Sequence, residues 1–502
     1  MLTPNPLGAQ WLDARQPRRG ALELGVSGLS VAAEERLLPD GSRQTLADAL
    51  AVSLDPRLVP ALDAIDPLLG AIYAGLGLSQ PEGSTLGIVR YDVLLERTLA
   101  RLGLELGITD WLALFTTVPI VKGQGFASTL VDSTSATMGP GEGGFGSDPT
   151  GFFAGLGAGI ADLESMIAAD TLPPEQQQLA SELLAEARNL EAGLGDLSQL
   201  RYLPTDSSAA GRELAGVYRQ LQEGFEAYEL ALPDLALAQP LSAEEAEALT
   251  SGDAFGIETP RDRSTGVKFG DIEVGVSLQP LNSFRRQGEE SGPTLAIRTR
   301  LDALWRFGTG DYPAPGRLTD AGTGDGQNDL ELRATFDVAV GRRLWLSLLA
   351  GYNLQMKSTQ RRLITTPAAP IQLGAYETSI SWDPGDVLTL AVAPRLNFSR
   401  HITVSLLYAL QNHGRDSFTA VGGVPPDAAF QPADLEEGTE HTASWLGFSL
   451  RYSASDWARD RSERMPVEVE LSHRKVIDAS DGLVPRQVVW QVSLRMYRSI
   501  FR

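Results

Sequence analysis

Hydrophobic and polar residues alternate one by one through long stretches of the C-terminal half of the chain. In 328–340, "NDLELRATFDVAV", one face carries Leu330, Leu332, Ala334, Phe336, Val338 and Val340, and the other carries Glu331, Arg333, Thr335 and Asp337. Helical spacing repeats about every 3.6 residues and cannot give alternation this long, whereas a pleated strand points successive side chains to opposite faces. The stretch is therefore predicted to be a β-strand.

The same alternation recurs along the chain, and we expect about twelve strands, several of them longer than is usual in soluble sheets. The clearest further examples are 295–307, 344–356, 388–398, 402–410, 446–452, 467–471 and 488–496. Residues 20–32 and 266–281 alternate with a phase slip in each. The stretch 102–121, "LGLELGITDWLALFTTVPIV", also fits helical spacing, but its alternation favours two strands that turn at 107–110.

The connections between these strands alternate in length along the chain. Long ones cover 33–85, 123–265, 308–327, 358–385 and 415–438, and shorter ones cover 107–110, 282–293, 341–342, 399–401 and 455–464. Outer-membrane barrels have this asymmetry, with tight periplasmic turns and large extracellular loops, whereas a soluble sandwich does not. We therefore expect an all-β fold with helical insertions: an antiparallel transmembrane β-barrel of about twelve strands with a large helical extracellular cap.

This fold divides the chain into a barrel and its insertions. We expect residues 1–19 to be an N-terminal periplasmic segment and 20–502 the barrel, with 33–85 as a helical extracellular loop and 123–265 as the helical extracellular cap. Within the cap, leucines and aromatic residues recur at helical spacing over 174–194, 209–230 and 241–249. The Gly-rich stretch 138–169 is expected to be mobile.

Composition narrows the classes of function. The chain has 42 basic and 64 acidic residues, a net charge of −22, which argues against a nucleic-acid partner because phosphate binding needs a basic face. There is no cysteine, and no apolar run of about 18 residues, so neither disulfides nor a transmembrane helix are expected. Residues 1–20 show no signal-peptide pattern, so an outer-membrane location requires a mature form or an upstream start.

Two segments resemble outer-membrane families once the strands are placed. "LGITDWLALFTTVPIV", 106–121, resembles a strand–turn–strand of the MetA-pathway-of-phenol-degradation family and of the related long-chain fatty acid transporter family. "KFGDIEVGVSLQPL", 268–281, resembles a strand start of the same families, with Gly270 and Asp271 at the phase slip. The resemblance covers about one tenth of the chain and implies a Gram-negative cell-envelope barrel for passive uptake, porin-like, with hydrophobic ligand docking under the cap.

The polar faces of the predicted strands are unusually charged. The lumen-lining candidates are Arg298, Arg300, Asp302, Arg306, Glu331, Arg333, Asp337, Arg395, Glu468, Glu470, Arg474 and Arg495. Such residues can form a ladder that selects small polar solutes, or a salt-bridge network that fills and blocks the barrel. Both interpretations remain open at this point.

The predicted cap offers a second candidate site. Its apolar stripe consists of Leu214, Val217, Tyr218, Leu221, Phe225 and Tyr228. These residues can form a groove for a hydrophobic small molecule, or can be the packed core of the cap, which is the more common role of such stripes.

No catalytic pattern or cofactor site is expected. Asn412, His413 and Ser417 do not have the His-x-Ser spacing of outer-membrane phospholipase A, and the four histidines lack metal-ligand spacing. We expect a non-enzymatic outer-membrane channel for passive uptake of small hydrophobic or aromatic molecules, in contact with outer-membrane lipid. The alternative is a structural or adhesive surface barrel with a plugged lumen and a partner-binding cap; the sequence leaves the oligomeric state open.

Overall fold

The alternating segments form strands, and the segments with helical spacing form helices. The computed structural model describes residues 13–79, 83–141, 144–146, 148–169, 172–252, 254–283, 295–341, 343–399, 401–454 and 467–500. The strands are β1 (Ala21–Ala33), β2 (Glu35–Leu37), β3 (Arg43–Thr45), β4 (Val52–Ser53), β5 (Ile88–Gly107), β6 (Leu112–Asp132), β7 (Met138–Pro140), β8 (Tyr202–Pro204), β9 (Arg263–Phe269), β10 (Ile272–Leu278), β11 (Leu295–Phe307), β12 (Asp329–Val340), β13 (Leu344–Gln355), β14 (Ser358–Ile364), β15 (Tyr376–Asp383), β16 (Val387–Asn397), β17 (Ile402–His413), β18 (Ser417–Ala420), β19 (His441–Ser453), β20 (Val467–Ser480), β21 (Val484–Pro485) and β22 (Val488–Ser499). The helices are α1 (Leu46–Ala49), α2 (Pro60–Gly75), α3 (Pro149–Ala168), α4 (Pro174–Leu197), α5 (Ala209–Glu226) and α6 (Ala243–Thr250).

Twelve of these strands close into an antiparallel barrel. Neighbours around the wall run β5, β1, β22, β20, β19, β17, β16, β13, β12, β11, β10 and β6, and pairing of β6 with β5 completes the ring. The predicted fold class and strand number are therefore confirmed. The last strand lies beside the first, as in the pairing of Val26 with Leu494.

The wall has an apolar outer face and a polar inner face. Its outward side chains are large and hydrophobic, and those between 38% and 58% exposed include Leu301, Leu332, Phe336, Leu346, Leu348, Leu388, Leu390, Leu406, Leu446, Phe448, Leu450, Leu471 and Val492. A soluble sandwich buries its apolar face and exposes its polar one. This barrel does the reverse, which is the arrangement of a barrel that crosses a membrane.

The two ends of the barrel differ. At one end, which we call the short-turn end, β5 and β6, β12 and β13, and β16 and β17 are joined by only three or four residues. The opposite, long-loop end carries the larger connections, and these contain structure that the alternation did not predict. The β13–β16 and β17–β19 connections supply a three-stranded sheet of β14, β15 and β18.

The predicted phase slip at Gly270 and Asp271 is a break in the wall. β10 pairs with both β6 and β11, whereas β9, on the other side of the break, pairs with β6. In this sheet β9 therefore pairs on one side only, with β6, and does not pair with β11. Gly270 suits the break because a Cβ there would lie 2.9 Å from a side-chain carbon of Val121.

The chain forms two units, of which the barrel unit comprises 1–50, 91–128 and 251–502 and the helical unit comprises 51–90 and 129–250. α2 to α6 belong to the helical unit. Counted along the sequence, this unit has 24 acidic and 6 basic residues, a net charge of −18 out of −22 for the whole chain. Excess acidic charge is therefore concentrated in the helical unit.

The helices agree with the sequence analysis except at α3. α6 begins with a capping box, in which Glu245 N–H donates to Ser242 Oγ at 3.3 Å and Ser242 N–H donates to the Glu245 carboxylate at 2.8 Å. Most of the stretch 138–169 that is expected to be mobile forms the 20-residue helix α3, capped by Asp148. By length and composition α3 could cross a membrane. Phe152 on α3 packs against Tyr218 on α5, with ring centroids 5.9 Å apart.

The outward face of the barrel gives a stability prediction. Leu348 is 40% exposed on β13 and pairs with Phe336 and Val392 on the neighbouring strands. Leu348→Arg places a charge on the apolar exterior and is expected to lower the free energy of unfolding by about 2–4 kcal/mol. The measurement is denaturant unfolding in phospholipid vesicles. Leu373→Arg, at a loop leucine that is 44% exposed, is the control and is expected to change it by less than about 0.5 kcal/mol. Equal losses for both variants would contradict the apolar belt.

Candidate functional site in the barrel lumen

The twelve predicted lumen residues lie on the inward faces of the barrel strands. Ten of them are less than one-tenth exposed, namely Arg298, Arg300, Asp302, Arg306, Glu331, Arg333, Asp337, Arg395, Glu468 and Arg495. Glu470 and Arg474 are half-buried on the same face of β20, between the outward residues of that strand. The guanidinium of Arg474 lies 5.9 Å from the ring centroid of buried Trp445. Charged groups therefore line the interior.

The β11–β12 part of the wall has the densest charge network. Arg306 lies 2.8 Å from Asp329, 3.1 Å from Glu273 and 3.4 Å from Glu331. Arg333 donates to Glu331 at 2.8 Å. Arg306 and Arg333 offset part of the negative charge of the three carboxylates, and this pairing lowers the free-energy cost of burying the charged groups in the interior.

A second group of ion pairs includes one between strands that are not neighbours in the wall. Arg300 Nε on β11 donates to Asp302 of the same strand at 2.8 Å, and its Nη1 lies 3.1 Å from Glu105 on β5, three strands away around the ring. Arg495 on β22 lies 3.3 Å from Glu23 on the adjacent strand β1. The contact between Arg300 and Glu105 therefore braces the barrel across its interior.

The segment 13–16 also lies inside the lumen, although it belongs to no strand. Asp13 is 5% exposed and accepts hydrogen bonds from Arg298 and Arg451, both at 3.2 Å. Arg15 lies 2.6 Å from Asp13 and donates to Glu468 at 2.7 Å. The segment therefore adds one carboxylate and one guanidinium to the charges of the wall.

Backbone groups of this segment are held as well. The Ala14 N–H donates to Asp337 at 2.9 Å, and the Ala14 carbonyl accepts from Gln279 at 2.6 Å. Arg300 Nη1 donates to the carbonyl of Arg15 at 2.7 Å. We call residues 13–16 the lumenal segment. Residues 1–12 lie outside the described residues, so the predicted periplasmic segment 1–19 is described only over 13–19.

A loop enters the lumen from the long-loop end. Residues 319–327 of the β11–β12 connection are largely buried, and Arg97 on β5 donates to the carbonyl of Ala321. The inward residues of β6 that face this loop are Gly123 and Gly125. A Cβ on Gly125 would lie 2.0 Å from the Thr319 carbonyl oxygen, so any other residue at 125 would displace the loop.

The Asp271 carboxylate holds the β11–β12 connection, and a second carboxylate, Asp325, lies on the loop itself. Asp271, at the break between β9 and β10, accepts from the backbone N–H groups of Gly310 at 2.8 Å and Asp325 at 3.2 Å. Burial, with repulsion from Asp271, raises the pKa of Asp325 to about 6. The loop therefore carries a carboxylate that is costly to ionise.

Beside the lumenal segment the lumen retains a small cavity of about 120 Å³. Its lining includes Asp13, Arg15, Glu105, Phe115 and Arg300. A cavity of this volume is below the size of an ordinary ligand pocket. At this level the lumenal segment and the paired charges of the wall therefore occupy part of the interior.

Several charged residues of the site were absent from the sequence prediction: Asp13, Arg15, Glu23, Arg101, Glu105, Glu273 and Arg451. Glu105, Glu273 and Arg451 lie on alternating strand faces, so the period-2 pattern could have found them. The segment that holds Asp13 and Arg15 has no such periodicity, and nothing in its composition indicates burial.

The predicted groove in the helical unit is corrected by the structure. Leu214, Tyr218, Leu221 and Phe225 on α5 are at most 1% exposed, and Val217 is half-buried. Tyr228, just after α5, donates to the Gln176 carbonyl at 3.1 Å. The four buried side chains belong to the packed core of the helical unit and do not line an open groove, because α3 and α4 pack against α5.

The residues weighed for catalysis make other contacts. Asn412 donates to Thr442 Oγ1 at 3.0 Å. The His413 ring stacks on His441 with centroids 5.0 Å apart, and its Nδ1 lies 3.1 Å from the Thr439 carbonyl oxygen. Ser417 begins β18 and pairs with Asp383. The prediction that the chain is not an enzyme stays a prediction.

Comparison with known proteins gives likenesses of fold. No protein family and no curated protein matches the sequence. An outer membrane channel from Pseudomonas putida F1 is 8% identical, with 97% of each chain covered and a TM-score of 0.42. The Pseudomonas putida toluene transporter TodX is 9% identical (95% and 89% covered, TM-score 0.25), and the transport unit of the Escherichia coli autotransporter AIDA-I is 6% identical (98% and 93% covered, TM-score 0.32). The predicted class, a barrel of outer-membrane type, is confirmed by the closed strand order of the chain itself.

The burial of Phe225 on α5 predicts that its truncation destabilises the helical unit. Phe225 is fully buried, and Phe225→Ala is expected to lower the free energy of unfolding of the helical unit by about 3–5 kcal/mol. The control Leu179→Ala, at a residue that is 60% exposed, is expected to have little effect. The measurement is the thermal loss of helical circular dichroism in the full chain. An open groove would instead leave the stability of the Phe225 variant unchanged.

The Asp325 carboxylate generates a pH prediction. Because its pKa is raised to about 6, against about 3.9 in an unfolded chain, the loop is most stable below about pH 4 and loses that stability as the pH rises through about 6. Amide exchange over 318–328, corrected for intrinsic rates, is expected to be slower at pH 5 than at pH 7.5. Asp325→Asn is expected to remove this difference, whereas Asp427→Asn, in an exposed loop, keeps it. A pH dependence that survives in Asp325→Asn would assign it to another group.

Proposed function

We propose that the protein is an outer-membrane channel for passive uptake of small molecules, with the lumenal segment as its plug. The observation that carries this proposal is the position of residues 13–16 inside a closed barrel, held by side-chain contacts and outside every strand. Withdrawal of this segment would leave the pairing of the wall strands intact. A segment that occupies the lumen without belonging to the wall supports a gated channel.

Location follows from the polarity of the wall. The large apolar side chains on the outward face would contact the hydrocarbon region, and the charged interior would be shielded from it. We place the barrel in the outer membrane of a Gram-negative cell envelope, with outer-membrane lipid as its surrounding partner. The short-turn end would then face the periplasm.

The substrate class is the finer part of the proposal. The sequence resemblance at 106–121 and 268–281 implies hydrophobic or aromatic small molecules. Around Asp13 the lumen also presents two arginines, Arg298 and Arg451, that bind a carboxylate. Hydrophobic or aromatic molecules that bear a carboxylate satisfy both features, because the acid could replace Asp13 between these guanidinium groups.

The second candidate is a structural or adhesive surface barrel whose lumen stays closed. The network around Arg306, with three carboxylates within 3.4 Å, favours it because such a network rigidifies the interior. In that case the lumenal segment is one more brace and never moves.

Conductance distinguishes the two candidates. The double variant Asp13→Asn, Arg15→Gln removes both charges of the lumenal segment without changing net charge. The substitutions leave Arg298, Arg451 and Glu468 in the wall without their partners from this segment, and removing one partner of a buried ion pair costs about 3–5 kcal/mol. This shifts the equilibrium toward withdrawal roughly 100-fold or more, since about 1.4 kcal/mol is tenfold. Planar-bilayer recordings are expected to show open events far more often than in wild type. The control Glu164→Gln, Arg188→Gln removes an exposed pair of the helical unit and is expected to match wild type.

Uptake into liposomes tests the substrate class. Liposomes that contain the double variant are expected to take up the anion benzoate faster than the neutral aromatic molecule benzyl alcohol, after subtraction of leakage into protein-free liposomes. The contrary result is a double variant that inserts into the membrane and shifts in mobility on heating in detergent, and yet neither conducts nor transports. That result would overturn the channel proposal and favour the closed surface barrel.

A further inference from the structure

A second and larger cavity lies at the long-loop end of the barrel unit, apart from the lumen network. It has a volume of about 650 Å³, within the range of small-molecule pockets. Its walls come from Glu258, from 308–317 at the start of the β11–β12 connection, from β14 and from Glu377 on β15. These segments are far apart in sequence and converge on one concave surface.

The charged side chains of this cavity are already paired with one another. Arg317 Nε donates to Glu258 at 2.7 Å, and Arg361 lies 3.0 Å from Glu377. Asp311 accepts from Lys268 at 2.6 Å. All of these groups remain partly exposed, and each carboxylate and guanidinium has hydrogen-bonding positions beyond the one used in its pair.

A buried acceptor on the same wall lacks a donor. Gln360 is 3% exposed and donates through Nε2 to the carbonyl of Asp325 at 2.6 Å. Among the described residues its Oε1 has no hydrogen-bond partner. Burying such an acceptor without a donor is unfavourable, so a rotation of the Gln360 side chain that brings Oε1 to a ligand hydroxyl in the cavity would stabilise it.

An aromatic ring completes the cavity. Tyr312 lies beside Gly326, where a Cβ would be 3.5 Å from the ring atom Cδ1, and Gly326 has a φ of +70° that suits glycine. The absence of a side chain at 326 leaves room next to the ring. A tyrosine combines an apolar face with a polar hydroxyl at its edge.

The geometry points to a binding site for a neutral, hydroxyl-rich ligand, a sugar ring, in this cavity. A hydroxyl both donates and accepts, so vicinal hydroxyls can bridge a carboxylate and its arginine without separating them. The apolar face of the ring would lie on Tyr312, and one hydroxyl would donate to Gln360 Oε1. The saccharide can be free or part of a surface glycolipid, and both present the same chemistry.

A charged ligand fits this cavity less well. An anion would have to take Arg317 or Arg361 from its carboxylate, and a cation would have to take a carboxylate from its arginine. Either exchange leaves one charge beside the ligand without its partner, and this unpaired charge opposes binding. The pairing therefore selects for neutral polyols over acids and amines.

The test is titration calorimetry with saturation-transfer NMR on the full chain in a detergent without a sugar headgroup. The probes share one ring and differ in charge: glucose and maltose are neutral, glucosamine is cationic and glucose 6-phosphate is anionic. We expect saturable binding of the neutral sugars, at least tenfold weaker binding of the charged ones, and at least tenfold weaker binding of maltose to Tyr312→Ala and Gln360→Leu. Tyr228→Ala, outside the cavity, is the control and is expected to bind as wild type does.

Each outcome is decisive. Preferred binding of glucosamine or glucose 6-phosphate, absence of saturable maltose binding, or equal binding by wild type and both cavity variants would overturn the site. Displacement of maltose by purified lipopolysaccharide would assign the site to a surface glycolipid, and retention of maltose would assign it to a free saccharide. None of these results depends on whether the lumen conducts.

Discussion

Charge compensation inside a closed wall is the constraint on which the rest of this structure depends. The outward faces of twelve strands are apolar, so their polar faces meet across a narrow interior. A charge left alone there would cost several kcal/mol. The interior therefore pairs arginines with carboxylates on other strands, as Arg300 does with Glu105, and also draws on a residue from outside the wall, Asp13, which lies between Arg298 and Arg451.

The strands and most inward charges could be predicted from the sequence because alternation is a local signal. A two-residue repeat shows which residues share a face, and this requires no knowledge of the partner strand. Glu331 and Arg333 are examples, since their neighbours in β12 show which side is polar. The segments that fill the lumen could not be predicted in this way. The position of Asp13 is determined by ion pairs with residues hundreds of positions away, and the Gly- and Asp-rich loop at 319–327 has the composition of a solvated turn.

The helical unit shows a different limit. The spacing on α5 correctly predicted a helix with one apolar face, but a stripe does not reveal what covers it. Neighbouring helices cover Leu214 and Phe225, so the face that suggested a ligand groove is core. α3 was missed for the opposite reason, since its Gly-rich sequence disfavours helix. It is stabilised by a proline at its first turn, by the Asp148 cap and by aromatic packing of Phe152.

The pairing of β1 with β22 has a consequence for how the chain folds. The ring cannot close until the last strand has reached the first, so closure joins contacts of the highest sequence separation in the chain and is expected to be its slowest ordering step. Asp13 and Arg15 lie a few residues before β1, and their partners Arg451 and Glu468 lie 438 and 453 residues further on. The lumenal segment can therefore make these contacts only after the C-terminal strands have joined the wall, which makes filling of the interior a late event in folding.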